Sequence, residues 1–380
     1  MAISLRPGIV SVGPILPSLI QEFHLSHTAA SLLTAIPNVL MGLLALPTPW
    51  LARRFGRDLV FVLALSLLCV SMAARACSAN PAELLASTAG VGAGIAIAGA
   101  LVAGFIKARF PARAAVMMGI YATALSFGST ISAATTGLLA SASPGGWRVA
   151  SGVWSFLGVL AIVGWLAVAL SERRRRPPPP VATSRPRLPL KNGTAWLVAL
   201  FFAFNNFLFF ALLSWTSPMY RDGGLSATIA GLILASYTSG FMVANPVFGW
   251  LSRSIDRRGW LAVCGGMTLL GLVPTALSPN QAPLLFIPLS GFGLGGAFTL
   301  GMTLPLDNTH SVDEANVWNA LVLTVGYGVA AAGPILVGLL RDIEGNYRLA
   351  MWLLVAVAMA MLLLTPLLRP HHQKTITRSR

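Results

Sequence analysis

Apolar runs close to 20 residues follow one another along almost the whole chain. A helix needs about 20 residues to cross the hydrocarbon of a bilayer. Backbone in lipid must satisfy its own hydrogen bonds, which a helix does within one segment. Only 10% of the residues are charged, against roughly 25% in a soluble domain. These features exclude a soluble protein with a large core and predict an all-α membrane protein. About twelve transmembrane helices are expected, at 1–22, 28–51, 58–76, 82–107, 114–140, 149–170, 194–218, 226–252, 259–278, 282–306, 315–340 and 348–368.

One stretch interrupts the pattern. Arg173 to Arg176 precede Pro177 to Pro180, and Arg185, Arg187 and Lys191 follow. A helix does not continue through four prolines, and adjacent arginines do not enter hydrocarbon. The expected organisation is a bundle at 1–171, a basic Pro-rich cytoplasmic linker at 172–193, a second bundle at 194–369 and a cytoplasmic tail at 370–380.

The net charge of +15 invites a nucleic-acid reading, but the placement of the charges argues against it. With both termini cytoplasmic, the inner side holds Arg53, Arg54, Arg57, Lys107, Arg109, Arg113, the seven linker cations, Arg253, Arg257, Arg258, Arg369, Lys374, Arg378 and Arg380. Arg6, Arg75, Arg148, Arg221, Arg341 and Arg348 fall outside or within spans. This is the positive-inside pattern, so the basic charge orients the chain in a cell inner membrane and its large partner is the lipid bilayer. Cys69, Cys77 and Cys264 have no metal or redox spacing and read as apolar filler. No cleavable signal peptide precedes the first span, and no loop is long enough for an attached soluble domain.

The second half echoes the first. Leu25-Ser26-His27-Thr28-Ala29-Ala30 matches Leu225-Ser226-Ala227-Thr228-Ile229-Ala230, and Trp50-Leu51-Ala52-Arg53 matches Trp250-Leu251-Ser252-Arg253, at an offset of 200. Gly90, Gly92 and Gly94 pair with Gly291, Gly293 and Gly295 at 201, as Gly137-Leu138-Leu139 does with Gly338-Leu339-Leu340. A collinear series at nearly constant offset is a duplication. Six spans per half is even, so the halves enter from the same side as pseudo-symmetric six-helix bundles. Parallel repeats of this kind occur in transporters that bind solute near the midplane between the halves.

The loop Arg53-Arg54-Phe55-Gly56-Arg57-Asp58 resembles the signature between the second and third helices of the major facilitator superfamily. Pro49 stands where that signature has its first Gly, Arg53 where it has Asp, and Asp58 where a basic residue is usual. The resemblance implies a gating role for Arg53, Arg54, Gly56, Arg57 and Asp58. The alternative is a positive-inside anchor. Leu5-Arg6-Pro7 and Ser11-Val12-Gly13-Pro14-Ile15-Leu16-Pro17 are similar to the first helix of the cyanate and 2-nitroimidazole permeases. Gly293-Leu294-Gly295-Gly296-Ala297-Phe298, Leu306-Asp307 and Gly345-Asn346-Tyr347 fit the same group. Those relatives carry further apolar helix before the Leu-Arg-Pro, so the start at Met1 is expected to be internal to a longer frame.

Arg6 carries the functional reading. A span starting at Pro7 would leave 14 residues before Gln21, short of the ~20 required. The repeat sets Arg6 opposite Asn206, well inside the seventh span. A cation at such depth costs about 2.5–3.5 kcal/mol on insertion scales and usually faces a wet cavity with a function. Every Asp and Glu falls at a span end or in a loop, so the expected counter-charge is the substrate, an anion or a strongly dipolar molecule. Snorkelling at the end of a short helix is the bland alternative.

Pro7, Pro14 and Pro17 free backbone groups beside Arg6, or simply kink the helix. Asn38, Asn205 and Asn206 are amides inside spans, suited either to a polar guest or to helix association. Tyr121, Trp215, Tyr237, Trp318, Tyr327 and Asn319 are further lining candidates, with packing or an interface belt as the alternative. The paired glycines read as surfaces for close helix approach, not as a nucleotide loop, because no strand precedes them. Asp307 is the acidic candidate for coupling or gate closure, in the inner loop with His310, Asp313 and Glu314. His24, His27, His371 and His372 lack the carboxylate or thiol partners of a metal site.

No cofactor and no enzymatic activity are expected. No phosphate loop ends in Gly-Lys-Ser/Thr, since Lys107, Lys191 and Lys374 never follow Gly. Neither a His-Glu-x-x-His set nor paired intramembrane acids occur. A channel calls for a charged ring or carbonyl filter, where the internal repeat favours one central site. The sequence therefore predicts a secondary transporter with rocking-type alternating access, acting as a monomer on a small-molecule solute. The family resemblance implies cyanate-like anions or nitroimidazole-like heterocycles. The alternatives are broad small-molecule efflux and, outside transport, a membrane sensor.

Overall fold

A computed structural model of the chain describes residues 1–44, 47–110, 114–173, 188–252, 256–309 and 312–369. The linker from Arg174 to Arg187, Arg113, Arg253, His310 and the tail with His371 and His372 lie outside the described residues, as do the side chains of Lys107 and Asp313.

Among the described residues there are twelve helical spans and no strand. The first six are Ala2–Phe23, His27–Leu44, Arg57–Ala76, Pro81–Arg109, Ala114–Ala142, and Gly146–Gly152 continued by Ser155–Arg173. The seventh to twelfth are Gly193–Asp222, Ala227–Leu251, Arg258–Leu277, Pro283–Asp307, Val312–Ala330 continued by Ala332–Glu344, and Arg348–Leu364. Among the described residues, eleven are long and apolar enough to cross a membrane. The fifth, Ala114–Ala142, is 29 residues long and carries no charged residue. The second span ends earlier than the sequence suggested, at Leu44, and a separate helix runs over Thr48–Phe55. Pro47 and Pro49 explain the break, because proline starts a helix well and continues one badly.

Local signals set the helix ends. Asn80 accepts from Glu83 N at 2.9 Å while Glu83 Oε2 accepts from Ala79 N at 2.8 Å, a reciprocal cap. Asn192 caps the seventh span through Thr194 N and Ala195 N. The duplication repeats these signals atom for atom. His24 (φ 48°) and Gly224 (φ 89°) both turn through the left-handed region. Leu25 N then donates to Ile20 O, and Leu225 N to Tyr220 O, each at 3.1 Å. Ser26 caps Ala29 N just as Ser226 caps Ile229 N.

Helix packing corrects one register. A Cβ on Gly94 would sit 2.8 Å from Ala64 O, and one on Gly293 2.5 Å from Cys264 O. Gly92 likewise abuts Pro37, as Gly291 abuts Tyr237. The equivalent glycines are therefore Gly92 with Gly291 and Gly94 with Gly293. The offset in these spans is 199, one glycine along from the expected pairing. Apolar lipid supplies little drive for helix association, so such close approach has to provide it through packing. Large apolar side chains such as Val70, Leu270 and Leu363 remain exposed on the outside of the bundle.

Between the halves, the first span packs on the seventh, the second on the eleventh, and the fifth on the eighth. Alternating span direction gathers Arg53, Arg54, Arg57, Arg109, Arg257, Arg258 and Arg369 at one end, the basic end. Glu22, His27, Asp222 and Asp342 lie at the far end.

Candidate functional site

Arg6 sits at mid-depth. Ile3 O lies against Gly128, at the middle of the 29-residue fifth span. The Arg6 guanidinium lies 6.0 Å from the ring centroid of Phe209, itself near the middle of the seventh span. Its Nη1 is buried and has no hydrogen-bond partner. Tyr121 and Tyr327 lie within electrostatic reach of this centre, and the Tyr121 hydroxyl approaches Gly99.

The backbone around Arg6 is interrupted twice. The span falls into Ala2–Leu5, Pro7–Val10 and Val12–Phe23, with breaks at Arg6 and Ser11. Pro7, Pro14 and Pro17 each withhold an N–H from the carbonyl four residues earlier. One carbonyl just past Arg6 has a partner from elsewhere. Arg75, 1% exposed near the end of the third span, donates from Nη1 to Gly8 O at 2.8 Å. Arg75 Nε and Nη2 are buried without partners. On the chain alone Arg75 looks like a flanking charge, because it lies in the last turn before Cys77. Its burial is set by packing against the first span.

The amides divide. Asn38 and Asn205 are fully buried, and both atoms of each side-chain amide lack partners. Asn206 instead donates from Nδ2 to Phe202 O at 2.8 Å in its own helix. Asn205 is one helical turn from Phe209 and so shares its face, which is the face beneath Arg6. Asn38 lies on a face of the second span shared with Thr34 and Gly42. Thr34 Oγ1 accepts from Ser214 Oγ of the seventh span at 2.9 Å, and Gly42 packs on Thr324 and Tyr327 of the eleventh. Asn38 thus faces the junction of the halves. Asn319 Oδ1 is buried without a partner. Trp215 lies towards the far end, where its Nε1 donates to Pro334 O at 2.9 Å and its ring neighbours His27 and Tyr347.

Ion pairs cluster at the span ends. Arg148–Glu22, Arg341–Asp222 and His27–Asp342 lie at the far end. Arg57–Asp58, Arg257–Asp307 and Arg258–Asp256 lie at the basic end. No carboxylate pairs with Arg6 or Arg75 among the described residues.

Of the loop residues, Arg53 and Arg54 are exposed, and Arg54 covers the rings of Trp50 and Phe55. Gly56 turns with φ 86° between the short helix and the third span. Arg57 lies over Phe105 at 4.8 Å and bonds Asp58 at 3.3 Å. In the second half Arg257 joins Asp307 at 2.5 Å and also donates to Ser252 O, tying the loop after the eighth span to the tenth. Hydrogen bonds from Arg258 hold the Asp256 carboxyl below its usual range.

At the far end the halves are latched. Asp342 accepts from His27 N and Thr28 N, both at 2.8 Å, and from Thr28 Oγ1 at 2.6 Å. Its Oδ1 also lies 2.7 Å from His27 Nδ1. A carboxylate of the eleventh span therefore caps the second, where the helix dipole favours negative charge. Gly338 packs on His27 O, and Gly137 packs on Ala227 O at the symmetric crossing of the fifth and eighth spans. This latch was not legible in the chain, because the repeat equivalent of Asp342 is the neutral Ser141.

Comparison with known proteins agrees with this architecture. The Major Facilitator Superfamily model matches residues 2–331 and 195–380. The cyanate transport protein of Escherichia coli (strain K12) is 32% identical over 91% of this chain and 89% of its own length. The 2-nitroimidazole transporter of the same organism is 29% identical over 96% of this chain and 91% of its own. A nitrite extrusion protein of Bacillus subtilis (strain 168) is 25% identical over 92% and 88%. Among solved structures, a bacterial homologue of the human lysosomal transporter Spinster superposes with a TM-score of 0.80, at 18% identity, over 97% of this chain and 95% of that one. The chain belongs to the major facilitator superfamily and is a multi-pass membrane transporter, not an enzyme.

Proposed function

We propose that this transporter moves a small anionic or strongly polar solute across the inner membrane by rocking-type alternating access. The carrying observation is the buried, unpartnered Nη1 of Arg6 at mid-depth between the halves. A guanidinium there needs a negative partner, and the chain supplies none among its described residues. Small oxyanion-like solutes match it in charge and size, and relatives named for cyanate and nitrite belong to that class. Asn38, Asn205, Asn206, Tyr121 and Asn319 are the polar groups proposed to complete the shell, with Phe209 as an aromatic wall. Trp215 is proposed to close its far end.

In this reading residues 1–171 and 194–369 rock as two bundles about the 172–193 linker, with the tail at 370–380. The chain works as a monomer with both termini and the basic end in the cytoplasm. The far-end latch then makes this the inward-facing arrangement. Arg53, Arg54, Gly56, Arg57, Asp58 and Asp307 form the inner gate, in which the Arg257–Asp307 pair breaks or re-forms.

The test is uptake of labelled cyanate, nitrite and 2-nitroimidazole into proteoliposomes. Wild type runs beside Arg6→Gln, with and without a proton gradient. Saturable anion uptake lost in Arg6→Gln supports the reading. Flux of neutral heterocycles untouched by the change sinks it and favours general small-molecule efflux, for which Phe209, Phe210 and Tyr327 offer aromatic surface.

A further inference from the structure

Six cations escape the positive-inside pattern, and two of them, Arg341 and Arg348, line one cavity at a corner of the bundle. Arg221 and Asp222 end the seventh span, Arg341 lies in the last turn of the eleventh, and Arg348 opens the twelfth. A cavity of about 740 Å³ lies there, lined by Asp222, Arg341, Asn346 and Arg348 on one side and by Met219, Leu277, Met351 and Trp352 on the other. That volume is in the range of small-ligand sites.

The polar wall is built around the turn Gly345-Asn346-Tyr347. Gly345 takes φ 71°, which reverses the chain after the eleventh span. Asn346 Oδ1 accepts from Arg348 N at 2.8 Å, fixing the first residue of a 17-residue helix at the cavity. The exposed Arg348 guanidinium has no ion-pair partner among the described residues. It sits on the positive end of that helix, where an anion is favoured. Arg341 gives Nη2 and Nε to one oxygen of Asp222, at 2.9 and 3.3 Å. The lining therefore holds one carboxylate and two guanidinium groups and carries net positive charge.

The opposite wall is apolar and opens outward. Leu277 is 66% exposed and Trp352 38% exposed on the flank of the bundle, where lipid chains run. A cationic wall beside an apolar, lipid-facing wall suits an amphiphile better than a free inorganic anion. We infer that this corner binds the anionic headgroup of a phospholipid from the leaflet at the far end, with an acyl chain along Leu277, Met351 and Trp352. The site is separate from Arg6 and does not rest on the transport reading.

The test uses the full chain in detergent, titrated with phosphatidylglycerol and, separately, phosphatidylethanolamine, and read by native mass spectrometry and thermal unfolding. Glycerol phosphate supplies the headgroup chemistry without chains. Phosphatidylglycerol is expected to be retained and to raise the melting temperature. Arg348→Gln should weaken its binding about fivefold, the effect of one basic residue near a membrane surface. Arg348→Lys should keep most of it. Trp352→Ala should weaken the lipid without changing any effect of glycerol phosphate. Equal retention of the two lipids, or unchanged phosphatidylglycerol binding in Arg348→Gln, overturns the inference. An equal effect of glycerol phosphate alone overturns it too, in favour of a free-anion site.

Discussion

The first and seventh spans occupy matching places in the repeat, yet they are built in opposite ways. The seventh runs 30 residues from Gly193 to Asp222 without a break, with 22 of them buried. Asn206 and Ser214 bond carbonyls of their own helix, Phe202 O and Phe210 O, while Asn205, Thr216 and Ser217 keep buried polar atoms without partners. The first is broken at Arg6 and Ser11, carries prolines at 7, 14 and 17, and relies on Arg75 from outside to occupy the Gly8 carbonyl. Duplication has supplied one scaffold twice, and only the first of these two copies has an interrupted backbone, at the buried Arg6. A regular helix satisfies its own backbone groups and leaves a solute only its side chains. A broken one leaves groups that a solute, or another side chain, must satisfy.

The largest expected effect tests that asymmetry directly. Arg6→Gln should raise the KM for a small anion at least about thirtyfold, the scale of removing one partner of a buried charge pair. Adding Asn206→Arg in the same chain should not restore transport, because the seventh span offers no break beside the new charge. Recovery of saturable uptake in the double variant would erase the distinction between the two spans.

Arg75→Ala comes next. It removes a hydrogen bond from a charged donor, worth about 1.5–3 kcal/mol, and should lower the melting temperature and weaken anion uptake together. The matching residue of the second half, Thr275, bonds only Gly271 O of its own helix. Thr275→Val should therefore shift unfolding much less, and equal shifts would contradict the special support of the first span.

The far-end latch extends the comparison to the crossings between the halves. Asp342→Asn should loosen the closure by about 1–2 kcal/mol, the range of a charged cap in a partly buried setting. Distances between spin labels across the second and eleventh spans would show a larger open population. Ser141→Ala, at the equivalent crossing, should leave those distances unchanged.

The smallest effect separates neighbouring amides. Asn205→Ala should weaken anion uptake about tenfold, as expected for a hydrogen bond to a charged group. Asn206→Ala, whose Nδ2 is already committed to Phe202 O, should cost less than about threefold. The reverse order would move the solute to the face of the seventh span that meets Gly326.

The chain by itself determined the number of the spans and their correspondence between the two halves. Hydrocarbon thickness sets helix length, and lipid leaves backbone no other partner, so apolar runs, prolines and caps are sufficient signals. It also showed the duplication, and it singled out Arg6 because no acid lies at that depth. The tertiary structure decided what depends on rotation and sliding of one helix against another. It moved the glycine register of the fourth and tenth spans to 199. It set Asn205 rather than Asn206 on the face beneath Arg6. It buried Arg75 against Gly8, and it brought Asp342 to the head of the second span, 314 residues from Thr28. The physical reason is common to all four. A helix turns 100° per residue, so a one-residue slip changes which neighbour a side chain meets while leaving composition and periodicity untouched.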